Sequence, residues 1–229
     1  MKADPQHNTI VPTSDGHPAG GALMATIRSL KAIQLDALRE TANIGAGHAA
    51  TALSQMTGST IMIKVPAISV ASIEALPVRF APNEEPVAAV LMQMLGDLTG
   101  RTMLVFPMPT VLRLAELMLR RPVESSVAFS KLETSAIKEL GNILSGAYMN
   151  ALSDFLGMLL LPSPPTLVID MSTAVLTSAF GEFAADPDAV LCVESEFLLT
   201  EMNQTLRGFF LMLPDPASLQ VMLRALRLD

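Results

Sequence analysis

The chain has 229 residues, half of them apolar, with 15 basic against 22 acidic side chains and a formal charge of −7. That is enough for one large core or for two fused half-domains, and without a basic run it offers no footprint for nucleic acid. The single cysteine, Cys192, allows no internal disulfide, and His7, His17 and His48 are too scattered for a metal centre, so no metal or cofactor of its own is expected and a reducing cytoplasm is.

Residues 1–26 are rich in Pro, Gly, His and Ser without apolar periodicity and read as a disordered tail. Proline, acid and glycine interrupt the place where a signal peptide needs an apolar run. No apolar stretch further on approaches the roughly 20 residues of a membrane span, so membrane insertion is not expected. The 15 methionines read as core filler.

From Ile27 onward, apolar residues at Leu30, Ile33, Leu35, Leu38, Ala42 and Ile44 follow a helical period, and Gly58 stands as the stop. Three strands follow, TIMIKVP (60–66), EPVAAVLMQML (85–95) and RTMLVFP (101–107), and then a helix, TVLRLAELMLRR (110–121). The order then recurs as a helix from Phe129 to Leu156, strands TLVID, AVLCVESEFLL and LRGFFLMLP, and a helix ASLQVMLRALRL.

This is an internal duplication. Glu40, Asn43, Gly47, Ala52, Leu53, Ser54, Gly58 and Pro66 meet Glu139, Asn142, Gly146, Ala151, Leu152, Ser153, Gly157 and Pro165 at a constant offset of 99. Pro109 meets Pro216 at an offset of 107, which puts eight extra residues in the second half, near DMSTAVLTSAFGEFAADPDA. The reading is a single domain over 27–229 made of two repeats, about 27–122 and 127–229, whose strands can share one sheet with helices packed on it.

The duplicated polar residues need a reason. Positions i, i+4 and i+7 share a helix stripe, so Asp36, Glu40 and Asn43 project together, as do Ser135, Glu139 and Asn142. A solvent-facing stripe would account for one such set, but asparagine is a mediocre helix former with no capping role in a helix interior. Gly45, Gly47, Gly141 and Gly146 lie within the same helices at about 1 kcal/mol each against alanine, and are read as close packing of the two repeated helices. GAGHAA is not a phosphate loop, since no strand precedes it and no lysine follows. His48 is expected on the surface.

Neither Glu nor Asn here has an activating base that would make a nucleophile, and these histidines complete no Ser-His-Asp set. A carboxamide can, however, accept from a water while donating to a phosphoryl oxygen, the water-positioning task of glutamine in GTPases. A glutamate beside it could fix a basic residue of a partner. Such residues would complete another protein's active site.

The pattern [Asp/Ser]-x3-Glu-x2-Asn-x22-Pro, met by Asp36, Glu40, Asn43 and Pro66 and again by Ser135, Glu139, Asn142 and Pro165, resembles the signature of the CheC/CheX/FliY family of chemotaxis phosphatases. The duplicated organisation is most similar to the CheC type. The resemblance implies an α+β fold with pseudo-twofold duplication, a mostly antiparallel β-sheet and long paired helices packed on it. It further implies hydrolysis of the aspartyl-phosphate of a CheY-type response regulator. Glu40 and Glu139 would then salt-bridge to a regulator lysine, Asn43 and Asn142 would orient the attacking water, and Mg²⁺ would be supplied by the regulator. Members of this type also bind the deamidase CheD. Two other readings stay open: a binding module for phosphorylated CheY or CheD with little hydrolysis, and a flagellar-switch component of the FliY or FliM kind, whose members usually carry a further C-terminal domain.

Overall fold

A computed structural model of the chain describes residues 32–81, 85–123, 129–180 and 190–225. The tail expected over 1–26 lies outside them. The first half contains helix α1 (Ala32–Thr57), strand β1 (Ile61–Ala71), a 3-10 turn (Ile73–Ala75) running into α2 (Leu76–Phe80), β2 (Pro86–Gly96), β3 (Gly100–Pro107) and α3 (Met108–Leu119). The second contains α4 (Lys131–Leu156), β4 (Leu160–Pro162), β5 (Thr166–Met171), α5 (Ser172–Phe180), β6 (Val190–Leu199), β7 (Gln204–Pro214) and α6 (Pro216–Ala225).

Local chemistry sets the helix ends. Ser130 caps α4 by accepting from the Glu133 amide, while the Glu133 carboxylate accepts from the Ser130 amide, a reciprocal capping box. Gly157 ends α4 at φ 65°, and Gly58 at φ 72° stands at the matching place after α1. Both glycines fall where the duplication predicts stops.

The strands form one antiparallel sheet in the order β1-β6-β7-β3-β2-β4, with β5 also pairing β2. β1 thus pairs with β6, while β4 and β5, which together stand where β1 does in the first half, both pair with β2, and β3 and β7 meet in the middle. The two repeats interlock instead of sitting side by side.

Both faces of the central sheet are covered. Ala88, Val90, Met92, Leu104, Phe106 and Phe210 face α1 and α4, whereas Val87, Ala89, Met103, Val105 and Phe209 face α2 and α5. Strands buried on both sides lose polar alternation, which is why MLVF and GFFLML read as unbroken apolar runs. Phe80 packs on Phe209 with ring centroids 4.8 Å apart.

The structure adds to the sequence reading at several points. β1 continues through Pro66 to Ala71, with a register shift between Lys64 and Ala67. The short helices α2 and α5 and the three-residue strand β4 were not anticipated. The 3-10 turn starting at Ile73 and α5 starting at Ser172 keep the 99-residue offset, so the extra residues of the second half fall beyond α5.

Close packing explains two of the four helix glycines. A Cβ on Gly45 would lie 2.8 Å from the Ala147 carbonyl oxygen of the paired helix, and one on Gly141 would lie 2.5 Å from Val90 Cγ1 of the sheet. Gly47 and Gly146 have nothing within 4 Å of such an atom. The expected packing of one repeated helix on the other therefore holds at Gly45 alone: Gly141 packs on the sheet, and Gly47 and Gly146 pack on nothing.

Candidate functional site

Each long helix buries one face and shows another. Leu38, Ala42, Ala46, Ala49 and Leu53 of α1, and Ile137, Leu140, Leu144 and Tyr148 of α4, are buried in the core. The opposite faces carry the repeated polar residues. Asp36, Glu40, Ser135, Glu139 and Asn142 are exposed, and Asn43 is half-buried. The sequence reading of two outward stripes therefore holds, with one difference at Asn43.

Asp36 is occupied by Arg39, whose Nη2 lies 2.6 Å from its carboxylate in an exposed pair worth at most about 1 kcal/mol. Glu40 and Glu139 have no ion pair among the described residues. Two unpaired carboxylates thus stand in solvent, each one helical turn before an asparagine. One turn beyond each asparagine comes Gly47 or Gly146, with open space above it. Gly47 opens onto a groove between α1 and β1 that also involves Ala50, Thr51, Ile61, Met62 and Ile63.

The signature prolines mark a bulge in the first half and a strand break in the second. In β1, Lys64 pairs with Glu196 and Ala67 with Glu194, so Val65 and Pro66 together oppose Ser195, the two-against-one arrangement of a bulge. Pro66 sits where an edge strand tolerates a residue without an N–H. Pro165 lies in the gap between β4 and β5, at the matching point of the second half. Behind the β1 bulge, Tyr148 and Ser195 hydroxyls meet at 2.6 Å, and burial pushes the Tyr148 phenol up to about 12. This buried contact joins α4 to β6.

The spacing from Asn to Pro has a direct structural meaning in the first half. The Val65 amide, beside Pro66, donates to Asn43 Oδ1 at 3.2 Å. Sequence reasoning missed this bond. Its signal was the proline 23 positions after the asparagine, which identifies the bulge but not the atom that turns toward the helix.

Other features lie apart from these stripes. A cavity of about 540 Å³ opens among β2, β3, β5 and α5 and contains none of the repeated acidic or carboxamide residues. Among the described residues, no three His, Cys, Asp or Glu side chains gather as metal ligands, and no helix is long and apolar enough to cross a membrane.

Fold and surface together define a class: an internally duplicated α+β domain that presents the same carboxylate–carboxamide pair from two packed helices. Residues 33–70 and 132–169, the two copies of helix plus following strand, match the CheC-like family. The chain is 32% identical over 206 residues, 89% of its length and 98% of the relative's, to a Bacillus subtilis protein named CheY-P phosphatase CheC. Its fold is similar to the crystal structure of Thermotoga maritima FliY, with a TM-score of 0.71, 24% identity, and coverage of 86% of this chain and 98% of that one. It is also similar to a chain of the FliG–FliM complex of H. pylori, with a TM-score of 0.65, 13% identity, and coverage of 85% and 100%. The protein belongs to the CheC-like family.

Proposed function

We propose that this protein is a phosphatase that hydrolyses the aspartyl-phosphate of a CheY-type response regulator. The observation that carries the reading is the repeated surface motif: an unpaired exposed glutamate, an asparagine one turn on, and a glycine without packing contacts a turn further, on both long helices. A stripe of this shape suits a partner that comes down onto the helix. The bare glycine turn leaves room for the partner's backbone, and the glutamate offers an anchor for a cation. The similarity to a protein named as a CheY-P phosphatase supports the same reading.

In this mechanism Glu40 or Glu139 pairs with a regulator lysine and so fixes where the neighbouring asparagine lands. The carboxamide accepts a hydrogen bond from a water and donates to a phosphoryl oxygen, holding the water in line with the aspartyl oxygen. The water oxygen bonds to phosphorus, the bond from phosphorus to the aspartyl oxygen breaks, and the water proton leaves with the phosphate. The regulator recovers its carboxylate. Positioning of this kind replaces a bimolecular search by a held geometry. Mg²⁺ is the regulator's contribution, and the reaction takes place in the cytoplasm.

The test is phosphate release from a phosphorylated CheY-type regulator with and without the protein. Glu40→Ala with Asn43→Ala removes one pair, and Glu139→Ala with Asn142→Ala removes the other. Acceleration by the unaltered protein that drops by about 10²-fold when both pairs are removed is expected. No acceleration, with the regulator still bound, would leave a docking module in place of a phosphatase.

A further inference from the structure

The two halves are not chemically equivalent at the asparagine. Asn43 is half-buried and its Oδ1 takes the Val65 amide at 3.2 Å. Asn142 is exposed and has no hydrogen-bond partner among the described residues. The reason lies in one position. The residue 99 places after Val65 is Pro164, which has no N–H to give. The chain beside it is engaged elsewhere, since the Ser163 amide donates to the Gln93 carbonyl at 2.9 Å and Ser163 Oγ accepts from the Gln93 amide at 2.8 Å.

From this we infer that the second half carries most of the turnover, with Asn142 as the working carboxamide, while Asn43 is latched to the bulge of β1. The inference rests on the reading of both asparagines as water-orienting groups. A carboxamide must turn its oxygen to the water and its NH₂ to the phosphoryl group. In the first half that oxygen is directed at the Val65 amide, so the side chain has to leave this bond, or share it, before it can work. In the second half nothing among the described residues competes. One intramolecular hydrogen bond that must be broken before reaction is worth about three- to ten-fold in rate. Val65 and Pro164 are then the positioning residues that set the two sites apart.

The same geometry gives the two asparagines opposite signatures in stability and rate. Asn43 supports the β1 edge, so its loss should lower stability. Asn142 has no hydrogen-bond partner among the described residues, so its loss should not lower stability. Asn43→Asp keeps an oxygen for the Val65 amide and should restore the stability that Asn43→Ala loses, which separates the structural effect from the catalytic one.

The experiment measures dephosphorylation of a CheY-type regulator and urea unfolding for Asn43→Ala, Asn43→Asp, Asn142→Ala and the double alanine variant. The expected result has three parts: Asn142→Ala loses at least about three-fold more acceleration than Asn43→Ala, the urea midpoint falls only in the two variants that carry Asn43→Ala, and the double variant loses nearly all acceleration. Equal losses, or a larger loss at Asn43, would overturn the inference and mean that the latch pre-organises the first site. Full acceleration retained by the double variant would instead overturn the phosphatase role given to the asparagines, leaving the asymmetry as a structural fact without catalytic meaning.

Discussion

Gly45 and Gly47 are two residues apart in one helix, and alanine should act on them with opposite signs. In a helix interior, alanine is favoured over glycine by about 0.5–1 kcal/mol, because glycine loses more backbone freedom on folding. At Gly47 the new methyl would meet nothing within 4 Å, so the whole gain is realised. For a domain of this size that raises Tm by about 1–4 °C. At Gly45 the same gain is opposed, because the methyl would stand 2.8 Å from the Ala147 carbonyl oxygen and 3.1 Å from Tyr148 Cα. Those are backbone atoms of the paired helix and cannot rotate away, so α1 and α4 must separate locally, as in other overpacked cores, at about 1–3 kcal/mol. The two variants should therefore differ by about 1–3 kcal/mol in urea unfolding followed by circular dichroism, with Gly47→Ala the more stable. Gly146→Ala, with equally open surroundings, should behave like Gly47→Ala. Destabilisation by Gly47→Ala, or tolerance of Gly45→Ala to the same degree, would refute the helix contact as described. Because Gly47→Ala and Gly146→Ala are expected to fold more stably, any fall in regulator dephosphorylation in them reports on docking alone.

Two further outcomes follow from side chains away from the stripes. The Ser130 amide, donating at 2.9 Å, holds the Glu133 carboxyl below the usual carboxylate range, against burial that raises it, with help from the Ser130 hydroxyl and from Arg121 at 3.2 Å. A lowered folded value means that this contribution is complete above the unfolded value and is lost as pH falls through the folded one. Below about pH 5, Tm should therefore drop more steeply in the unaltered protein than in Glu133→Gln, which keeps the cap without the charge; parallel profiles in thermal melts would refute this. Burial pushes the Cys192 thiol up to about 11, a little offset by Arg79, with Glu194 adding to the rise. The thiol is fully enclosed and should not react with a thiol reagent at pH 8 until denaturant is added, so rapid labelling of the folded protein would contradict the packing of β6.

Much of this was written plainly in the chain. The constant 99-residue offset fixed the halves, the two long helices and their stops, and Asp36, Glu40, Ser135, Glu139 and Asn142 needed only helix geometry to be placed outward, whereas Asn43 is half-buried. Six of the seven strands were legible from their Gly and Pro borders, even where burial on both faces removed alternation; the three-residue β4 was not. The short helices were not. Leu76–Phe80 has only five residues and a proline in its first turn, and STAVLTSAF carries β-branched residues that weaken any helical signal. Their fold comes from packing: Leu76, Phe80, Val175 and Leu176 are buried on the sheet face away from α1 and α4. The bond at Asn43 was hidden for another reason. It joins a helix to a bulge 22 residues away, and no local pattern records which way a bulged amide points.

That hidden bond changes how the duplication should be interpreted. β1 is an edge strand, and an edge amide left without a partner is a liability in folding and association. Two side chains of α1 serve that edge. Ser54 Oγ accepts from the Ile61 amide at 3.0 Å and donates to the Ile61 carbonyl at 3.1 Å, and Asn43 takes the Val65 amide. In the second half Ser153 likewise donates to the Met158 carbonyl just past α4, but at Pro164 there is no amide to serve. Asn43 thus has a structural account that stands without any partner, whereas Asn142 has none: it costs its helix a few tenths of a kcal/mol against alanine, is exposed, and has no hydrogen-bond partner among the described residues. Of the two copies, the one that stability leaves unexplained is the one for which a partner must supply the explanation.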